Sequence, residues 1–433
     1  MTEMAFSPHG GSVAARHELS RRFAPRLVDD NSFCRKIVSY QGNRVAPGLR
    51  WMKYKEGFSS ELVLDFIKQE NPNDVLDPFA GICTAPLVAA GRGVRATGIE
   101  IMPVGVSAGT AIAETANGLS KREFDRQSAA LLREVRTLRT PNQFAFPHVR
   151  ITEGAFSNDT EKQIASARQF LSNIDNDGVR TILDLACMSV LEEASYTRKD
   201  GQYLRWDSRS QRRLKSSFNI GPIADFSDAL ERRLGEIAED IPAIKRQFGT
   251  GYPTLLTGSC LDILRTIDDG AFDMVVTSPP YANRYDYTRT YVLELAWMGF
   301  DQEGFSALRQ RMLSATVENK AKTESLNKAY GNSRKTLDRS ITIYEEQSAV
   351  HEVLGILRDR QGELSNRNVI RLVGQYFFAM ALPSLNSGGS FDPAALSLWL
   401  TTMYSITARN CRWTSFWPTL RNGQASIVIK YGS

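Results

Sequence analysis

A doubly wound α/β domain is the fold class predicted by this sequence, and two observations predict it. Short apolar runs stop abruptly at polar turn signals: Val75-Leu76 at Asp77-Pro78, and Met274-Val275-Val276 at Thr277-Ser278-Pro279-Pro280. Such runs read as strands buried on both faces. Between them, the text DVLDPFAGICTAPLVAAGRGVRATGIEI gives strand, Gly81 turn, a helix of small residues from Thr84 to Ala90, a Gly91 to Gly93 stop, and a second strand from 96 to 101. A helix linking two such strands implies that the strands are parallel.

The remaining elements follow in order. Residues 1–50 are polar and mixed, and a loose arm is expected there. After Trp51 comes a loop, then Leu62, Val63, Phe66 and Ile67 at helical spacing. Ser59 or Ser60 is the natural N-cap of that helix, and Pro72-Asn73 closes it. Residues 105–250 read as mostly helical, interrupted by turn signals at Pro141, Pro147 and 175–178. TLLTG and FDMVV supply two more strands, residues 286–385 read as helical again, and SIVIKY is a final strand. No internal repeat and no low-complexity segment occurs.

Bulk properties bound the function. The 433 residues exceed an ordinary single domain, so either one enlarged domain or two are expected. The 42% hydrophobic content and mean hydropathy of -0.29 suit a soluble protein with an ample core. A net charge of +5 is compatible with a polyanionic partner. Cys34, Cys83, Cys187, Cys260 and Cys411 are scattered without CxxC pairing, as are the four histidines, so no metal site is expected and free thiols in a reducing compartment are. The N-terminus lacks the apolar stretch of a secretory signal, and the apolar tract at 75–91 is broken by Asp77, Pro78, Gly81 and Pro86. A cytoplasmic protein without a membrane partner is expected.

Two strand ends carry the chemistry. In Asp77-Pro78-Phe79-Ala80-Gly81 the glycine lets the backbone approach a ligand, and Asp77 can meet an ammonium or hydroxyl. Glu100 ends the next strand, about twenty residues on, where an acid grips ribose hydroxyls in nucleoside-binding α/β folds. Neither G-x-G-x-x-G nor GK[ST] is present, so a nucleoside ligand without a pyrophosphate fits best. The second element is Ser278-Pro279-Pro280-Tyr281. Its prolines remove two backbone donors and fix φ. A rigid carbonyl and the Ser278 hydroxyl can accept the hydrogens of an NH2 group, and Tyr281 offers a ring for base stacking. No Pro-Cys pair exists, which argues against a thiolate-dependent attack at cytosine C5.

Together these elements resemble the DNA amino-methyltransferases, which modify cytosine N4 or adenine N6. The resemblance spans residues 40–320 and implies a Rossmann-like methyltransferase fold with large helical insertions and S-adenosylmethionine as cofactor. By it, residues 77–81 and Thr84 hold the methionine part, Glu100 the ribose, and Asp262 in GSCLDIL the adenine. Tyr54, Glu56, Gly57, Phe58 and Ser59 resemble the N-terminal lid of a subset of the family, and residues 196–201 share the look of that subset. Ser278, Pro279, Pro280 and Tyr281 match the catalytic tetrapeptide in its Ser form, associated mainly with cytosine N4. The implied division is 1–50 arm, 51–110 cofactor half, 111–250 helical insertion, 251–300 catalytic half, and 301–433 helical region with the last strand. After residues 385–389 relatives continue with an apolar strand. Here Ser390-Phe391-Asp392-Pro393 leads into a helical pattern at 394–405, so an abbreviated sheet is expected.

The implied partner is double-stranded DNA, with a cognate restriction endonuclease as a second. For DNA contact the sequence offers Arg198, Lys199, Tyr203, Arg205 and Arg209, continued by Arg212, Arg213 and Lys215 and interleaved with Trp206. A solvated helix face is the competing reading. Adenine N6, a guanine amino group in RNA, and a catalytically idle DNA-binding subunit stay open as alternatives to cytosine N4.

Overall fold

The computed structural model describes residues 14–23, 36–54, 57–138, 142–200, 203–210, 212, 218–268, 270–280, 286–314, 316–331, 334–364, 366–386 and 427–430. Its strands, in chain order, are β1 (Asp74–Asp77), β2 (Arg95–Glu100), β3 (Thr197–Asp200), β4 (Tyr203–Trp206), β5 (Thr254–Thr257), β6 (Met274–Thr277) and β7 (Ile427–Lys430). Among the described residues the main sheet runs β5-β2-β1-β6-β7. The first four are parallel, and β7 is antiparallel to β6. This is the expected α/β fold, in which β2 and β5 extend to one side of β1 and β6 lies on the other. The chain therefore changes direction between β1 and β6, and the crevice at the carboxyl ends of those strands is where open α/β sheets bind ligands.

Successive side chains of a strand point to opposite faces, and both faces here are apolar. Val75, Met274 and Val276 enter one core, with the helices Thr84–Ala90, Pro103–Asn117, Asp177–Val190 and Phe226–Phe248. Leu76, Ile99 and Val275 enter the other, with Tyr330, Leu354, Tyr376 and Phe377 from the later helices. Ser59 caps the helix Ser60–Glu70 by accepting the Leu62 amide at 3.3 Å, and Asn71 in a left-handed conformation ends it one residue before Pro72.

Three differences from the sequence reading emerge. Ala14–Phe23 is a helix, and the Ala15 amide donates to Glu352 Oε2 at 2.9 Å. Residues 42–51 are packed against the body: Asn43 donates to the Phe58 carbonyl, and Leu49 and Trp51 are buried. The stretch 105–250 is mostly helical as expected, but it also holds strands, β3 and β4, paired as an antiparallel hairpin. The strands hold Thr197, Tyr203 and Trp206, residue types that favour pleated structure. The basic run thus begins on a hairpin and not on a helix face. The expected helix at 394–405 and the abbreviated sheet both fall on residues 387–426, outside the described residues.

Candidate active site

Asp77 is the last residue of β1 and is 1% exposed. Its Oδ1 accepts the Phe79 amide at 3.1 Å and the Thr277 hydroxyl at 2.7 Å. Thr277 is the last residue of β6, directly before Ser278. One hydrogen bond therefore ties the Asp77 turn to the Ser-Pro-Pro loop across the switch point. Glu100, at the end of β2, spends one carboxylate oxygen on the Gly81 amide (2.6 Å) and the other on the Met102 amide (2.7 Å). Each oxygen keeps a second lone pair for a ligand.

Burial pushes both acids up to about 7, against the hydroxyl and amide donors that hold them ionised. Asp77 adds like-charge repulsion at Glu100. No cation among the described residues is close enough to lower either. Two buried acids without a protein counter-charge fit a ligand that brings its own positive charge and hydroxyl groups.

Small residues make the crevice narrow. Gly81 sits at φ +55°, and a Cβ there would stand 3.0 Å from the Tyr54 ring. Behind the turn, a Cβ on Gly105 would collide with the Gly81 carbonyl, and one on Gly109 would lie 2.6 Å from Cys83 Sγ. Gly105 and Gly109 are one helical turn apart, so a single face of Pro103–Asn117 lets the helix press on the ligand turn. Over the front, Tyr54 stacks on Tyr291 with centroids 5.1 Å apart. Lys199 Nζ stands 4.2 Å from the Tyr291 centroid and 2.5 Å from Glu294.

The resulting cavity is lined by Tyr54, Pro78, Phe79, Gly81 and Glu100 on one side and by Ser278, Pro280, Tyr287, Met312 and Leu313 on the other. Asp77, Pro279, Ala80, Phe58 and Ser59 are buried around it without lining it. Gly57 is half-buried, and Thr84 is buried and accepts from Asn43. Asp262 sits in the short helix Cys260–Ile263 and does not line the cavity, whereas Gly258, Ser259 and Cys260 do. Glu56 and Tyr281 lie outside the described residues.

The basic residues of the hairpin are largely engaged within the protein. Arg198 Nη1 donates to the carbonyls of Glu192, Ser195 and Thr197. Lys199 is 8% exposed and faces Glu294. Arg209 forks onto Asp207, and the exposed Arg205 lies over the Phe218 ring. Tyr203 lies in β4. Gly105, Tyr287, Tyr291, Met312 and Leu313 were not singled out by the sequence, and Thr277 was read there only as the start of the Ser-Pro-Pro loop, without its bond to Asp77. Only the Gly-x-x-x-Gly spacing of residues 105–109 could have signalled one of them.

A doubly wound sheet with an acid at the end of each of two adjacent strands, facing a Ser-Pro-Pro loop across the switch point, defines a Rossmann-like methyltransferase fold. The chain belongs to the type II DNA methyltransferases. It is 37% identical over 381 residues to the type II methyltransferase M.AvaI of Nostoc sp. (strain PCC 7120), covering 84% of this chain and 76% of that protein. It is 35% identical over 393 residues to the type II methyltransferase M.BsoBI of Geobacillus stearothermophilus, covering 84% and 75%. No family model and no solved structure matches it. No helix among the described residues is long and apolar enough to cross a membrane.

Proposed function

We propose that this chain transfers a methyl group from S-adenosylmethionine to the exocyclic N4 of cytosine in double-stranded DNA, as the modification enzyme of a restriction–modification system with a cognate endonuclease. The observation that carries the reading is one cavity shared by the acid-bearing strand ends and the Ser278 loop, held in register by the bond from Thr277 to Asp77.

S-adenosylmethionine fits this donor set and supplies an electrophilic methyl on a cationic sulfur. Asp77, buried behind the cavity wall, would oppose the ammonium of its methionine part through its negative charge, Glu100 would accept from ribose hydroxyls, and Phe79, Ile101 and Leu313 offer apolar surface to a flat ring. A cytosine amino group is a poor nucleophile because its lone pair is delocalised into the ring. Ser278 Oγ and a backbone carbonyl beside Pro279 would accept its two hydrogens, favouring a tetrahedral nitrogen as the new bond forms. The prolines keep that loop from rearranging when a base enters. Tyr54, stacked on Tyr291, covers the Gly81 turn and restricts access of water.

Ser278 in the position where the family's alternative is Asp supports cytosine over adenine. Incubation with labelled cofactor and duplex DNA, followed by nucleoside analysis, tests the assignment. Label in N4-methylcytosine is expected, and Ser278→Ala should lower turnover on the order of a hundredfold if it removes one transition-state hydrogen bond. Label only in N6-methyladenine, or only in RNA, would sink the cytosine reading. Cofactor binding without turnover on any nucleic acid would show an idle subunit instead.

A further inference from the structure

We propose that a second groove, walled by Arg150, Arg289 and Arg309, holds the sugar–phosphate backbone of the DNA strand beside the catalytic loop. The inference rests on the DNA substrate proposed above and places its contact on arginines beside the basic hairpin, not on the cations of its strands.

The groove is walled by four arginines, these three and Arg212, together with Thr288 and Gln302 over an apolar floor, and no acidic side chain among the described residues lines it. The four are engaged differently. Arg212 is committed to structure: it donates to the Ile151 and Arg150 carbonyls at 3.0 Å each and lies over the Trp206 ring. Arg309 is held by Asp286 at 3.1 Å and by the Thr288 hydroxyl at 3.0 Å, and its buried Nε has no hydrogen-bond partner among the described residues. The guanidiniums of the exposed Arg150 and the half-buried Arg289 have no hydrogen-bonding or ionic partner among the described residues. Asp286 offsets one charge of the four, so the groove carries a net positive field. Arginine presents a planar fork of N–H donors that matches a phosphodiester.

Position supplies the second argument. Arg309 also walls a smaller cavity that contains Pro280 and Tyr287. Those two residues in turn line the cavity of the active site. The arginine groove thus begins one cavity away from the loop that would hold the extruded base. A flipped nucleotide stays covalently joined to its flanking phosphates, so cationic contacts beside the pocket suit an enzyme that extrudes a base. In the basic run, Arg198 and Lys199 of the hairpin and Arg209 beyond it are spent on carbonyls, Glu294 and Asp207.

The test uses the full chain and a labelled mixed-sequence DNA duplex, with binding followed by fluorescence anisotropy over a range of salt concentrations. The double variant R150A/R289A should bind at least about tenfold more weakly, and its slope of log affinity against log salt should fall by about two. Its affinity for S-adenosylmethionine should be unchanged, which reports an intact fold. Arg122→Ala, an exposed arginine of the helix Lys121–Arg136, is the control and should behave as wild type. Wild-type affinity and slope in the double variant, or an equal loss in the control, overturns the groove while leaving the methyltransferase reading intact. Displacement of the duplex by inorganic phosphate at constant ionic strength would show a free-anion site and also overturn it. A wild-type chain that methylates no DNA brings down the parent reading, and the groove with it.

Discussion

Asp77 and Glu100, at the ends of β1 and β2, are buried with only hydroxyl and amide donors among the described residues, and burial lifts both toward neutrality. Asp240 and Asp207, between β2 and β5, are just as inaccessible but are paired with arginines of the protein. Asp240 takes a two-point fork from Arg50 at 2.9 and 2.7 Å, the Trp51 indole N–H at 2.9 Å and the Gly48 amide at 3.1 Å. Asp207 takes both arms of Arg209 and the Ile220 amide, and these hold it well below the usual carboxylate range. A carboxylate that the protein completes with its own cation fastens one segment to another. One left with only neutral donors stores an electrostatic deficit that a cationic ligand can relieve.

The contrast can be broken at either end. The largest effect is expected from Asp240→Ala, which strands Arg50, Trp51 and the Gly48 amide and should cost about 3 kcal/mol of unfolding free energy. Chemical denaturation measures this, and affinity for S-adenosylmethionine below the transition should be nearly unchanged. Asp77→Asn should do the reverse. It keeps shape and hydrogen-bonding capacity but removes the charge, so S-adenosylmethionine affinity by calorimetry should fall about a hundredfold, or ~2.7 kcal/mol. The ligand-free protein should melt no lower than wild type. Retained affinity in Asp77→Asn would dissolve the distinction between the two kinds of acid.

The smallest effect is a pH dependence, and its sign follows from the raised values near 7. Between the ordinary carboxylate range and about 7, the folded ligand-free chain holds protons that the unfolded chain has released. Its stability contribution from these two acids is therefore full at low pH and is lost as pH rises through 7. The affinity of a cationic cofactor runs the other way, because only the ionised acids attract it. From pH 6 to pH 8 that affinity should rise about tenfold, since one coupled proton changes it at most tenfold per unit. Asp77→Asn should flatten the rise, and a wild-type profile in that variant would break the link.

Much of the fold was legible because it is local. The stops at Asp77-Pro78 and Ser278-Pro279, the capping Ser59 and the small-residue helix after Gly81 each follow from neighbours in the chain. What stayed hidden depends on partners far away in sequence. Thr277 reads as the start of the Ser-Pro-Pro loop, and nothing local shows that it meets Asp77, 200 residues earlier. Lys199 looks like one more cation of a basic run, yet its partner Glu294 is 95 residues away. Charge in a sequence shows how many cations exist; only the fold shows which are already spent. The arginine groove escaped for the same reason, because Arg150 and Arg289 stand in unremarkable text and are joined only by packing.

The roof of the cavity has a consequence in time. Tyr54 precedes β1 and stands over the Gly81 turn, and Tyr291, which follows β6, backs it by stacking. A chain growing from its N-terminus makes the Asp77 turn early and waits until residue 291 for the ring that backs Tyr54. The second wall of the crevice, β6, is made only shortly before, so both halves of the cavity are completed by one late stretch of the chain.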